Sequence, residues 1–164
     1  MVQLTLILDN LRSAHNVGAI LRSCDAAGVE RVLACGTTPY PELKNDSRDP
    51  VVVTRNSREI AKTALGAEKT VMLEHFDDSL SAIAACRARG CTIYGLEQTP
   101  KSTNLFTANP RFPAALIVGN EVAGIAADVL AACDAVLEIP QRGSKESLNV
   151  SVAAGIAMYA LCFN

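Results

Sequence analysis

Tryptophan is absent from this chain, and aromatic residues make up only 4% of it. A platform that stacks successive nucleobases on aromatic rings is therefore a poor fit. There is no excess of positive charge either, the formal net charge being -2. Proteins that grip nucleic acid through its phosphates usually show a basic excess, so any such surface must be local or assembled from two subunits. There are two histidines, His15 and His75, and none of the six cysteines (24, 35, 86, 91, 133 and 162) stands in a Cys-x-x-Cys pair. No metal site is expected from so few ligands, and cysteines in apolar segments read as free buried thiols. No apolar run is long enough to cross a bilayer, and the N-terminus carries neither a basic leader nor a small-residue cleavage site. The expected compartment is the cytoplasm, with no membrane partner. A Gly-x-Gly-x-x-Gly after the first strand is also lacking, which counts against a dinucleotide-binding fold.

What is present suits one globular domain over residues 1–164, with 49% hydrophobic and 20% charged residues and no repeats or linkers. Apolar runs predict strands at 2–8, 31–35, 70–73, 91–96, 114–118 and 135–139. Helical periodicity predicts helices at 17–27, 55–65, 79–89 and 150–161. Strands alternating with helices imply an α/β fold, a mostly parallel sheet with helices on both faces. Long loops at 36–50 and 97–113 are of a length that is usually functional or mobile.

The last third concentrates the chemistry. The buried-strand run Ala114 to Val118 opens into Gly119-Asn120-Glu121-Val122-Ala123-Gly124-Ile125. A second strand breaks at Pro140 into a polar loop that enters the last helix. Strand ends with glycine turns beside a helix start expose backbone groups able to hold a small polar ligand. Glu121 reads as a ligand-binding carboxylate or as a solvated turn residue. Ser147 and Asn149 read as helix caps, with Ser147 the plainer N-cap, or as a ligand-holding pair. Asn16 is placed as the N-cap of the first helix, and Arg22, off its apolar stripe, is a surface arginine or an anion clamp.

Taken together and in order, three stretches resemble the motifs of the SpoU (TrmH) family of RNA ribose 2′-O-methyltransferases, within the SPOUT superfamily. They are Asn16-Val17-Gly18-Ala19-Ile20-Leu21-Arg22, Ile117 to Ile125, and Ile139-Pro140-Gln141-Arg142-Gly143-Ser144-Lys145-Glu146-Ser147-Leu148-Asn149-Val150-Ser151. Lys62 to Glu68 looks like a further family segment. The resemblance covers essentially the whole chain. It implies a C-terminal trefoil knot, which general topology rules would never suggest, S-adenosyl-L-methionine as cofactor, and a homodimer with the site near the interface. By motif position it makes Arg22 the catalytic arginine, Asn16 its supporting residue, and Glu121 the carboxylate that orients that arginine or a ligand. Ser147 and Asn149 become the polar pair near the reacting ribose. Val118, Gly119, Ile139, Leu148 and Asn149 become cofactor-binding positions. No motif position departs from the pattern, so an active enzyme is implied.

The resemblance leaves substrate recognition open. No added RNA-binding domain is expected, which shifts RNA binding onto Arg12, Lys44, Arg48, Arg55, Arg58 and Lys62, charges that otherwise read as a solvated face. It also leans the substrate towards tRNA over rRNA. The competing readings are an RNA-binding or assembly protein of the same fold without turnover, and a generic nucleotide-binding protein.

Overall fold

The computed structural model describes residues 3–29 and 31–163. β1 (Leu4–Asp9) leads into α1 (Ala14–Ala27), and β2 (Arg31–Cys35) into α2 (Pro50–Ala64). After a 3-10 turn at Ala67–Lys69 come β3 (Met72–Phe76), α3 (Ser79–Ala88) and β4 (Thr92–Leu96). The last third holds β5 (Thr103–Asn104), β6 (Ala114–Val118), α4 (Ala127–Ala131), β7 (Ala135–Glu138) and α5 (Val150–Cys162). The strands stand in the order β3-β2-β1-β6-β4-β7-β5, and every neighbouring pair is parallel. This is the expected α/β sheet.

Side-chain alternation along the strands divides the core between two faces. Leu6, Leu8, Leu116 and Val118 lie on the face covered by α1, α2 and α5, against Ile20, Leu21, Ile60 and Met158. Ile7, Leu33, Ile93 and Ile117 lie on the other, against Ile83 and Cys86 of α3 and Val129 of α4. Each such side chain contributes about 1.5–3 kcal/mol by leaving water. β1 and β6 are central and covered on both sides, so they read as unbroken apolar runs. All six cysteines are unpaired thiols, and burial pushes that of Cys86 up to about 11.

Several boundaries differ from expectation, each for a local reason. α1 begins at Ala14, and its N-cap is Ser13, whose Oγ accepts the Asn16 N–H at 3.2 Å. Asn16 thus sits in the first turn and is not the cap. α2 starts earlier than expected, at Pro50, capped by the Asp49 carboxylate on the Val51 N–H. β3 is displaced towards Phe76, because an edge strand carrying Glu74 and His75 lacks the apolar run that marks a buried one. β5 and α4 were not expected, since two and five residues are too few to show a period. Val2, expected in the first strand, lies outside the described residues.

α1 and α2 cross closely at Gly18. A β carbon there would collide with Thr63 Oγ1 and the Ile60 carbonyl oxygen. Thr63 Oγ1 also donates to the His15 carbonyl at 2.8 Å, tying the two helices at the same point.

Candidate active site

The carboxyl ends of β4, β6 and β7 open into a cleft of about 800 Å³, its solvent-filled mouth included. Parallel sheets commonly bind ligands at such ends. Leu96, Val118, Ile139 and Val150 line it with apolar surface, while Asn120, Gln98 and Gln141 supply polar groups. Four of the five expected cofactor positions, Val118, Gly119, Ile139 and Leu148, lie on its wall, as does Ser147.

The turn after β6 is built by its own sequence. At Gly119 a β carbon would strike the backbone of Gly124 and Ile125, so only glycine lets the turn fold back on itself. Asn120 and Gly124 exchange backbone hydrogen bonds of 3.0 and 2.9 Å across it. The Asn120 carboxamide oxygen accepts the Val122 and Ala123 N–H groups, and its nitrogen donates to the Asn10 carbonyl at 2.7 Å. This locks the turn internally and ties it to the end of β1.

Glu121 then reaches the start of α1. Its Oε2 accepts the Arg12 N–H at 2.9 Å, and its Oε1 accepts the Ser13 N–H at 3.1 Å and the Asn16 amide at 2.9 Å. Partial burial pushes the Glu121 carboxyl up, yet the Asn16 amide and the backbone N–H groups of Arg12, Glu121 and Ser13 outweigh it, and the net position is below the ordinary glutamate range. Asn16 in turn accepts, through Oδ1, from the Asn149 amide at 3.2 Å. Asn149 is the N-cap of α5, its Oδ1 accepting from the Ser151 N–H at 2.9 Å. Ser147, the expected cap, lies two residues before the true N-cap, exposed in the cleft. Glu121, Asn16 and Asn149 therefore form one hydrogen-bonded chain that joins the β6 turn to the starts of both helices.

Arg22 stands apart from that chain. It is exposed in a second groove with Lys62, Thr63 and Tyr159, which shares no lining residue with the cleft. Glu121 is thus committed to the α1 entry and not to Arg22 of its own chain. Among the other basic residues, Arg55, Arg58 and Lys62 fall at i, i+3 and i+7 on the exposed side of α2. Lys62 and Arg58 pair with Glu59, which also meets His15 at 3.0 Å. Lys44 and Arg12 are exposed. Arg48 differs: it pairs with Asp46, donates to the Tyr40 and Pro41 carbonyls, and lies 3.4 Å over the Tyr40 ring. Its guanidinium holds the 40–48 loop together.

Sequence reasoning passed over Asn120, Glu97 and Gln98. Asparagine between glycine and glutamate in a turn is a known signature of a side chain bonding forward to its own backbone, so Asn120 could have been found. Glu97 and Gln98 end an ordinary strand and carry no such signal. Glu97 Oε2 accepts the Ile125 N–H at 3.1 Å, and Gln98 donates to the Glu146 carbonyl at 3.2 Å. The pair thereby touches both loops that flank the cleft.

Comparison with known proteins places this geometry in context. The family model described as the SpoU rRNA Methylase family matches residues 3–159. A tRNA (guanosine(18)-2′-O)-methyltransferase of Thermus thermophilus is 31% identical over 156 residues, covering 95% of this chain and 72% of the relative. A 23S rRNA (guanosine-2′-O-)-methyltransferase of Ralstonia nicotianae is 33% identical over 156 residues, again 95% of this chain but 57% of the relative. The crystal structure of an AdoMet-bound rRNA methyltransferase from Sinorhizobium meliloti superposes with a TM-score of 0.80 at 26% identity, over 97% of this chain and 55% of that one. The chain thus spans between about half and three quarters of the length of these relatives.

Proposed function

The chain belongs to the SpoU rRNA methylase family, and we propose from this that it transfers a methyl group from S-adenosyl-L-methionine to a ribose 2′-hydroxyl of RNA. The observation that carries the reading is the Glu121–Asn16–Asn149 chain at the mouth of the cleft formed by the carboxyl ends of β4, β6 and β7. The lining fits the cofactor. Apolar walls at Leu96, Val118, Ile139 and Val150 suit an adenosine body, and the charged side chains on the wall are carboxylates, Glu97 and Glu121, which suit a positive centre. When bound, S-adenosyl-L-methionine supplies an already electrophilic methyl group. What remains for the protein is to hold the ribose in line and assist loss of its proton. Ser147, exposed in the cleft, and Asn149, at the start of α5, are the groups that would orient the ribose. Arg22 serves as base or as a clamp on the developing alkoxide.

For Arg22 to act, a second copy must contribute it, because within one chain it faces the other groove. The homodimer belongs to the proposal for that reason. Exposed Val152, Tyr159 and Phe163 on and beside α5 are apolar surface that a partner would cover. The trefoil knot that the motif resemblance implies belongs to it as well. RNA would run along Arg55, Arg58 and Lys62 of α2, with Arg12 and Lys44 flanking, since Lys62 leads from that stripe into the Arg22 groove. Among RNAs we favour tRNA over rRNA, tRNA being the RNA named for the Thermus thermophilus relative, of which the chain covers 72%.

Incubation with labelled S-adenosyl-L-methionine and, separately, bulk tRNA and bulk rRNA tests the reading. Label in a ribose 2′-O-methyl nucleotide, lost in Arg22→Ala, is expected. RNA binding that ignores both the cofactor and Arg22→Ala would instead mark a non-catalytic RNA-binding protein. Charge reversal of Arg55 and Arg58 should weaken RNA binding and reduce the slope of its salt dependence by about two, one for each phosphate that is no longer neutralised.

A further inference from the structure

Among the described residues, Glu97 and Glu121 are the charged side chains on the cleft wall, and no lysine or arginine reaches it. Their situations differ. Glu121 lies at the mouth, its oxygens occupied by Arg12, Ser13 and Asn16. Glu97 comes from the carboxyl end of β4, outside all three motif stretches. Its Oε1 accepts the Gln98 N–H at 3.0 Å and its Oε2 the Ile125 N–H at 3.1 Å. It rests against Gly124, where any β carbon would strike Oε2. Two neutral amide donors fix the carboxylate in place without cancelling its charge. The nearby cations, Arg142 and Lys145, and the anion Glu146 are exposed on the loop after β7 and stay off the wall.

We propose that Glu97 is a specificity-determining residue, biasing the cleft towards the positively charged sulfonium cofactor and against the uncharged thioether left once the methyl is gone. This rests on the reading of the cleft as the cofactor site. The two ligands share the adenosine and the amino-acid part, so their apolar and backbone contacts cancel in a ratio of affinities. They differ by one methyl group and one unit of charge. A fixed carboxylate on a half-buried wall, where the effective dielectric is below that of water, acts on that difference and on little else. The consequence is easier exchange of spent for fresh cofactor.

The test is calorimetric titration of the intact protein with S-adenosyl-L-methionine and with S-adenosyl-L-homocysteine at low ionic strength. Relative to wild type, Glu97→Gln should shift the ratio of the two affinities towards the homocysteine product by about three- to tenfold. Glu97→Asp should keep most of the wild-type ratio. Gln98→Glu, a change on the same wall, should move the ratio the opposite way, and it reads the effect even if Glu97→Gln folds poorly. Ratios equal in wild type, Glu97→Gln and Gln98→Glu would overturn the assignment. Failure of wild type to bind either ligand would overturn the cofactor reading itself, which is a distinguishable result.

Discussion

Asn149 performs two separable tasks. Its carboxamide oxygen caps α5 and its nitrogen holds Asn16. Asn149→Ala removes both, and should lower stability by about 1 kcal/mol through loss of the cap, a fall in Tm of about 2–4 °C. Asn149→Asp keeps an acceptor for the cap while setting a carboxylate against the Asn16 oxygen. It should melt close to wild type yet lose methyl transfer by about tenfold or more. Thermal melts with a single-turnover assay separate the two, and Asn149→Asp with full activity would deny the Asn16 hydrogen bond a role. Glu121 lends itself to a pH test. Burial acts to raise its carboxyl, but the Asn16 amide and the backbone N–H groups prevail and hold it below its ordinary value of 4.5. Its contribution to stability is therefore fully present above about pH 4.5 and is lost as the pH falls through the lower folded value. The stability gap between wild type and Glu121→Gln should be wider at pH 7 than at pH 3 in urea unfolding. An equal gap at both would mean that the charge does not matter there.

At the level of elements, the crossing of α1 and α2 is the most restrictive approach. Gly18→Ala would drive a methyl group into Thr63 Oγ1 and the Ile60 carbonyl. Backbone cannot yield as a side-chain end can, so a loss of about 1–3 kcal/mol is expected on denaturant unfolding. Thr63→Ala should rescue it only in part, because the Ile60 carbonyl remains. An unchanged Gly18→Ala protein would mean that the helices can separate freely. This crossing also marks what was legible at this scale. Val17, Ile20, Leu21 and Cys24 announce the buried stripe of α1 in the sequence, and all four are fully buried. That Gly18 sits between them because another helix touches it cannot be read from α1 alone. β6 was legible residue for residue, being apolar throughout. β5 has two residues, and its place beside β7 depends on a pairing 34 positions away, Thr103 with Leu137.

For the whole molecule, one chain presents the cleft and the Arg22 groove as separate surfaces. Tyr159 lines the Arg22 groove and stacks on Phe163 at 5.2 Å, Tyr159 being about half exposed and Phe163 more so. On the proposed homodimer, Tyr159→Glu should give a monomer by sedimentation, with cofactor binding retained and methyl transfer abolished. A fully active monomer would place Arg22 outside the reaction.

The sequence by itself determined the parallel α/β sheet, its central buried strands and five residues of the cleft wall. Apolar periodicity and glycine turns are local signals that mark the strands and their ends, and the motif resemblance, also read along contiguous stretches, marked Val118, Gly119, Ile139, Ser147 and Leu148. Tertiary structure alone decided what the polar residues hold. Asn16 and Glu121 are 105 positions apart, and Asn16 and Asn149 are 133 apart. Sequence shows that each can donate or accept, but only the packing of α1 and α5 over one face of the sheet brings them within hydrogen-bonding distance. The same holds for Arg48, a surface cation by composition, which the fold of its own loop turned inward onto Asp46 and Tyr40.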